Sequence, residues 1–379
     1  MTLLIARNAA FAGVVLAVVL ASAGCAPSEP VNTPAPVETP SASATPVAEP
    51  PEPTPLLDLT CSDLASTAAV AAAIDADIEE ANPHEAIRGA GVDLPYTFAI
   101  EALGGIACQW SNGEFSNSTY TSNPDYRGVR ISLLPTTAAD AEGYGYSTSG
   151  DVEESIRCDS DGYFTCEGGV FVNDKWWIAV EADGVDASNE ADAKAHFFDV
   201  VSAAKTAVES AADLPAWTPP ADTVAIGPEC PDIIPNETVE TTFDTDSAIG
   251  NSADIGYGDS YSIHAAARAQ LDAKRCFWST SDAAVVGTAL WIPAGAWAWT
   301  QSQTFPSVSD GLESLEVDGG EAWLACNDDA PCVLDVVVGN NWIEANFYVG
   351  KDGGIDADKS TPEAYTTIAQ AMIDTVTAG

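Results

Sequence analysis

Positive charge is scarce in this chain. Thirteen Lys and Arg stand against 57 Asp and Glu, for a formal net charge of −44. Nucleic acid and anionic headgroups are held by basic side chains that neutralise phosphate, so this balance excludes a nucleic-acid-binding protein. Histidine is rarer still, at three residues: His84, His196 and His264. None lies beside a nucleophile motif, and the sequence has no Gly-x-Ser-x-Gly elbow, Walker loop or dinucleotide fingerprint. His84 reads as a loop residue, His196 as part of a closing helix and His264 as structural or surface. Neither catalysis nor a cofactor is expected. A membrane-spanning run is missing too: Phe11–Ala21 covers about eleven residues, where a bilayer needs roughly 20.

That short run is nonetheless informative. It follows Arg7 and precedes Ser22-Ala23-Gly24-Cys25. A basic start, a short apolar core and small residues before a cut mark a secretory signal peptide, here residues 1–24. Cysteine directly after Ala-Gly resembles the lipobox of bacterial lipoproteins, with Ser22 where that pattern usually has leucine. The resemblance implies diacylglycerol on the Cys25 thiol, palmitate-type acyl chains and cleavage that leaves Cys25 as the N-terminus. Residues 25–56 complete a stalk rich in Pro, Ser, Thr and Ala, which buries too little surface to fold. At about 3.1 Å per residue its ~30 residues reach up to roughly 90 Å. The expectation is a chain tethered by its N-terminal lipid to the extracellular face of the cell membrane.

Nine cysteines are present, and setting Cys25 aside leaves eight. An even number in a secreted chain points to disulfides. Cys61, Cys108, Cys158 and Cys166 are separated by 47, 50 and 8; Cys230, Cys276, Cys326 and Cys332 by 46, 50 and 6. The flanks agree as well. Cys61-Ser62-Asp63-Leu64 matches Cys230-Pro231-Asp232-Ile233, and Cys108-Gln109-Trp110-Ser111 matches Cys276-Phe277-Trp278-Ser279. Trp176 and Trp342 each stand ten residues after the fourth cysteine. This is the pattern of a tandem repeat. Zinc prefers cysteines two to four residues apart, often with histidine, so disulfides are the better use. Four cysteines allow three pairings; the simplest joins first to second and third to fourth in each repeat.

Local patterns supply the elements. Ser62 is a plausible N-cap for an Ala-rich helix running to Ile74, and Pro231 suits the first turn of a shorter helix in the second repeat. Val129, Ile131 and Leu133 alternate with Arg130 and Ser132, the period of a half-buried strand. Glu321–Cys326 and Cys332–Val338 read as strands around a short loop. A second hairpin turns at Asn173-Asp174-Lys175 in one repeat and at Gly339-Asn340-Asn341 in the other. Closing helices present Ala195, Phe198, Val201, Ala204 and Val208, then Tyr365, Ile368, Met372 and Val376. The fold class is therefore α+β: two tandem repeats, each an antiparallel meander with an N-terminal and a C-terminal helix, stapled by disulfides. The repeats span 57–212 and 229–379, joined by the Pro-rich linker 213–228.

Cys-x-x-[Leu/Ile] opening each repeat, Cys-x-Trp some 47 residues on, and a lipobox with a stalk before both resemble actinobacterial cell-envelope lipoproteins. Those are built from small α+β domains of unassigned function, and related-looking domains form the extracellular ends of receptor kinases. In that pattern the fourth cysteine opens the last helix, whereas here it precedes the final hairpin. The resemblance brings no catalytic residues.

Two features are candidates for binding. Trp297 and Trp299, with Trp291 nearby, share a strand face if Ala296–Trp299 is extended. Exposed, that face is a platform for a glycan or an envelope protein; buried, it is core. Asp352, Asp356 and Asp358 offer oxygen ligands of the kind calcium takes, without the spacing of an EF-hand loop. Turn and cap roles are the plainer use of these aspartates, so no metal is expected. The reading that results is a membrane-anchored binding or accessory protein of the cell envelope, without enzyme activity. The alternative is an extracellular solute-binding or sensor component serving a membrane partner.

Overall fold

A computed structural model describes residues 50–84, 94–114, 125–141, 151–159, 165–184, 190–245, 248–254, 263–273, 275–281, 284–326, 331–350 and 354–378, with 117–118, 121–122 and 144. The signal segment, Cys25 and nearly all of the stalk lie outside the described residues. The fold is α+β, with antiparallel sheets of six and seven strands.

The first sheet runs Glu79–Ala81, Ile106–Ser111, Gly128–Pro135, Trp176–Asp183, Thr165–Val172, Arg157–Asp159 across its width. It is not a simple meander, because Gly128–Pro135 pairs with the last strand and joins two three-stranded meanders edge to edge. The second sheet runs Ile249–Asp254, Arg275–Thr280, Val285–Ile292, Asn341–Phe347, Cys332–Val338, Glu321–Ala325, with Glu313–Leu315 added at that edge.

All four expected disulfides form. Cys61–Cys108 and Cys230–Cys276 each tie the segment before a helix to the second strand, with Cα atoms 5.5 Å apart in both. Cys158–Cys166 and Cys326–Cys332 bridge neighbouring strands, with Cα separations of 4.1 and 4.2 Å. Cys158 lies directly opposite Cys166 in register.

Several local expectations change. The helix after Cys61 breaks in two, Cys61–Leu64 and Thr67–Ile74. Ser66, rather than Ser62, caps the longer piece by accepting the Ala69 N–H at 3.2 Å, while Thr60 and Asp63 form a capping box on the shorter. The buried stripe of Glu190–Ser210 is Ala193, Phe197, Val200, Val201, Ala204 and Val208. Ala195 and Phe198 point outward instead. Phe197 turns inward because Gly168 leaves room beneath its ring: a Cβ there would stand 3.1 Å from it.

The last hairpins are offset by one residue. Val338 pairs with Asn341, so Gly339-Asn340 alone makes the second turn, both with positive φ (52° and 66°). In the first, Val172 pairs with Trp176 across three residues. Counting from Cys166↔Ala182 and Cys332↔Phe347, the residue that occupies the place of Trp342 is therefore Trp177, not Trp176.

Each sheet has one face against helices. Val170, Ile178, Val180, Ile131 and Leu133 pack with Leu64, Ile74, Val200 and Val201. Leu334, Val336, Ile343 and Phe347 pack with Phe243, Tyr365, Ile368 and Met372. The other faces are covered as well, which is why Ser132 is buried on a strand expected to be half-wet. Residues from Ala48 to Gly379 form one compact unit, and two apolar clusters cross between its halves.

Candidate functional site

The junction between the halves brings together His84, His264, Arg130 and Arg268. Two short helices of the first half, Leu94–Thr97 and Ala99–Ala102, enter it. The helix Ile263–Gln270 of the second half meets them, with residues 263 to 268 all buried. Its small side chains, Ala266 and Ala267, let it sit close against Ile100, Leu134 and Trp177.

His264 and Arg268 are four apart on that helix and so share a face. The Tyr96 ring stands against both: the His264 ring stacks on it at 4.8 Å, and the Arg268 guanidinium lies over it at 4.6 Å. Arg268 is 3 % exposed and His264 7 %. Arg268 Nε and Nη2, and His264 Nδ1, are buried without a hydrogen-bond partner among the described residues. Burial, then the nearby positive charge of Arg130, His84 and Arg268, pushes the His264 pKa down to about 3, so its ring is neutral at physiological pH. Arg130 comes from the covered face of the first sheet and pairs with Glu181 at 3.4 Å.

Further polar contacts tie the junction together. His84 is buried, with Nε2 2.8 Å from Glu101 Oε2 and Nδ1 3.2 Å from Thr97 Oγ1. The Leu94 N–H crosses to the second half and donates to Glu344 Oε1 at 3.1 Å.

The tryptophans that were candidates for a binding patch or for core are interior. Trp291, Trp297 and Trp299 are 3, 4 and 2 % exposed. Trp297 and Trp299 lie on a helix, Ala296–Ser302, not a strand, and that helix is buried nearly all round, which produces tryptophans two apart that are both covered. Trp291 belongs to the helix-facing core of the second half. Trp297 helps form a box for a residue of the first half: Phe98 lies 5.6 Å from Trp297, 5.8 Å from Trp342 and 6.4 Å from Phe305, and Trp299 packs on Trp342 at 5.5 Å. His84 stacks on the same phenyl ring at 3.8 Å. That explains why the cluster occurs in one half only.

Of the calcium candidates, Asp352 lies outside the described residues, and Asp356 and Asp358 are exposed. Their neighbour Lys359 bonds Asp244 at 2.7 Å. Among the described residues no three His, Cys, Asp or Glu gather as a metal site, and no helix is long and apolar enough to cross a membrane. Sequence reasoning passed over Arg268, Arg130 and Tyr96. The usable signal was His264 and Arg268 spaced one turn apart in an Ala-rich helix of a chain that has few basic residues.

A cavity of about 770 Å³ lies elsewhere, between the Thr67–Ile74 helix and the edge strand Glu79–Ala81. Asp77, Glu79 and Glu80 give it the sign of the rest of the surface. Comparison of the chain with family models, with curated proteins and with solved structures finds no match in any of the three.

Proposed function

We propose that this chain is a lipid-anchored extracellular protein with a non-enzymatic binding role in the cell envelope. In this reading Cys25 carries the lipid, residues 25–56 act as a spacer, and two copies of one α+β module stand beyond it. The shared strand order of the two sheets and the matching disulfides support the duplication. The observation that carries the binding role is the junction, where a buried arginine and a buried imidazole keep unpartnered nitrogens beside Tyr96. A neutral histidine with so low a pKa is a poor base at neutral pH, so the arrangement suits holding a guest rather than transforming one.

The position of these groups between the halves also favours the second reading, a solute-binding or sensor component that passes occupancy to a membrane partner. Detergent phase partitioning of the protein from its native host tests the anchor. The wild-type chain is expected in the detergent phase and Cys25→Ser in the aqueous phase; equal partitioning of the two contradicts the proposal.

A further inference from the structure

Among the described residues Arg268 has no carboxylate partner, in a chain with 57 Asp and Glu. Three other cations do pair with carboxylates: Arg130 with Glu181, Lys205 with Glu209 and Lys359 with Asp244. A surface that left its arginines unpaired at random would leave them in water, where the cost is small; Arg268 is instead 3 % exposed. The two unpartnered nitrogens, Nε and Nη2, form one edge of the guanidinium. Their N–H bonds run parallel and match the two oxygens of a carboxylate. His264 Nδ1, one helical turn away on the same face, is a third unpartnered polar atom. The Tyr96 ring lies against the guanidinium and makes no hydrogen bond to that edge.

We propose that the junction is a binding site for a small carboxylate, seated on the Nε/Nη2 edge of Arg268 with His264 Nδ1 as a further contact. The inference rests on the binding role proposed above and names its ligand class. The guest supplies the negative charge that this buried arginine lacks among the described residues. It is small, because both residues are almost wholly enclosed. Arg130 lies near enough to depress His264 and adds to a positive field at this spot, against the sign of the surface as a whole. Helices from both halves frame the site, so occupancy holds the halves together.

The test uses the purified mature chain with acetate and succinate as probes, and chloride and phosphate at matched ionic strength as controls. A ligand that binds only the folded state raises the melting temperature progressively with its concentration. The expected result is such a rise with a carboxylate beyond the chloride control, lost in Arg268→Lys, which keeps the charge but not the paired edge. In nitrogen-15 spectra the resonance of the wild-type chain that Arg268→Lys removes is expected to move on carboxylate addition. A melting temperature that follows ionic strength alone, with that resonance fixed, overturns the proposal. So does an Arg268→Lys variant that keeps the full carboxylate response. Phosphate acting as strongly as the carboxylates overturns the ligand class. None of these outcomes depends on the lipid, so failure here is distinct from failure of the anchor.

Discussion

Trp342 donates its indole N–H to Asp335 Oδ1 at 3.0 Å, and both side chains are wholly buried on adjacent strands. The positions that match them in the first sheet hold Trp177 and Gly169, so this contact belongs to the second half alone. It anchors the tryptophan that walls the Phe98 box. Replacing Trp342 with Phe keeps a ring but removes the donor. The expected cost is about 1–3 kcal/mol, the price of leaving a buried acceptor short of a hydrogen bond. It is read as a lower urea midpoint at unchanged slope.

Phe98 is the plug that ties the halves together. Phe98→Ala should cost about 3–5 kcal/mol, as truncation of a buried aromatic does. Its more telling effect is on cooperativity. Calorimetry of the wild-type chain is expected to give one transition, and that of the variant two, as each sheet melts on its own core. A single unchanged transition would show that the junction carries little energy.

The disulfides differ in loop length, and their removal should rank accordingly. Cys61–Cys108 closes 47 residues and Cys158–Cys166 closes 8. Chain entropy gives about 4 kcal/mol for the long loop and about 2.5 for the short one. Paired Cys→Ala variants measured by urea unfolding should reproduce that order.

Two exposed carboxylates make acid stability legible. Hydrogen bonds from the Thr60 side chain and backbone hold Asp63 below its usual value, and Lys359 does the same for Asp244. A depressed carboxylate contributes stability that is complete above the unfolded pKa of 3.8 and is lost as pH falls through the lower folded value. Lys359 is raised by Asp244, so its share is complete below 10.5 and is lost as pH rises through the higher folded value. Asp63→Asn and Asp244→Asn should each flatten the acid limb of a urea-midpoint profile, and Asp244→Asn the alkaline limb as well.

The disulfides and many of the strands of this fold were legible in the sequence, and the contacts that join its halves were not. Cysteine spacing and flanking residues gave the disulfides, and period-two runs such as Val129, Ile131 and Leu133 gave strands. The packing of Phe98 against Trp297 and Trp342 links residues some 200 or more apart in the chain, a distance that leaves no local period. For the same reason His84, read as a loop residue, is buried at the junction. Trp297 and Trp299 fit a strand face in the sequence because a helix covered nearly all round also buries residues two apart. The Trp176–Trp342 match failed by one residue because one turn is a residue longer, which sequence counting across a gap does not see.

The most direct test of the account is the intact mass of the protein isolated from its native host, denatured, unreduced and treated with an alkylating agent. The expected species lacks residues 1–24, carries the added mass of lipid on Cys25 and takes up no alkyl group. A chain that retains its leader, or one that gains eight alkyl groups, contradicts it.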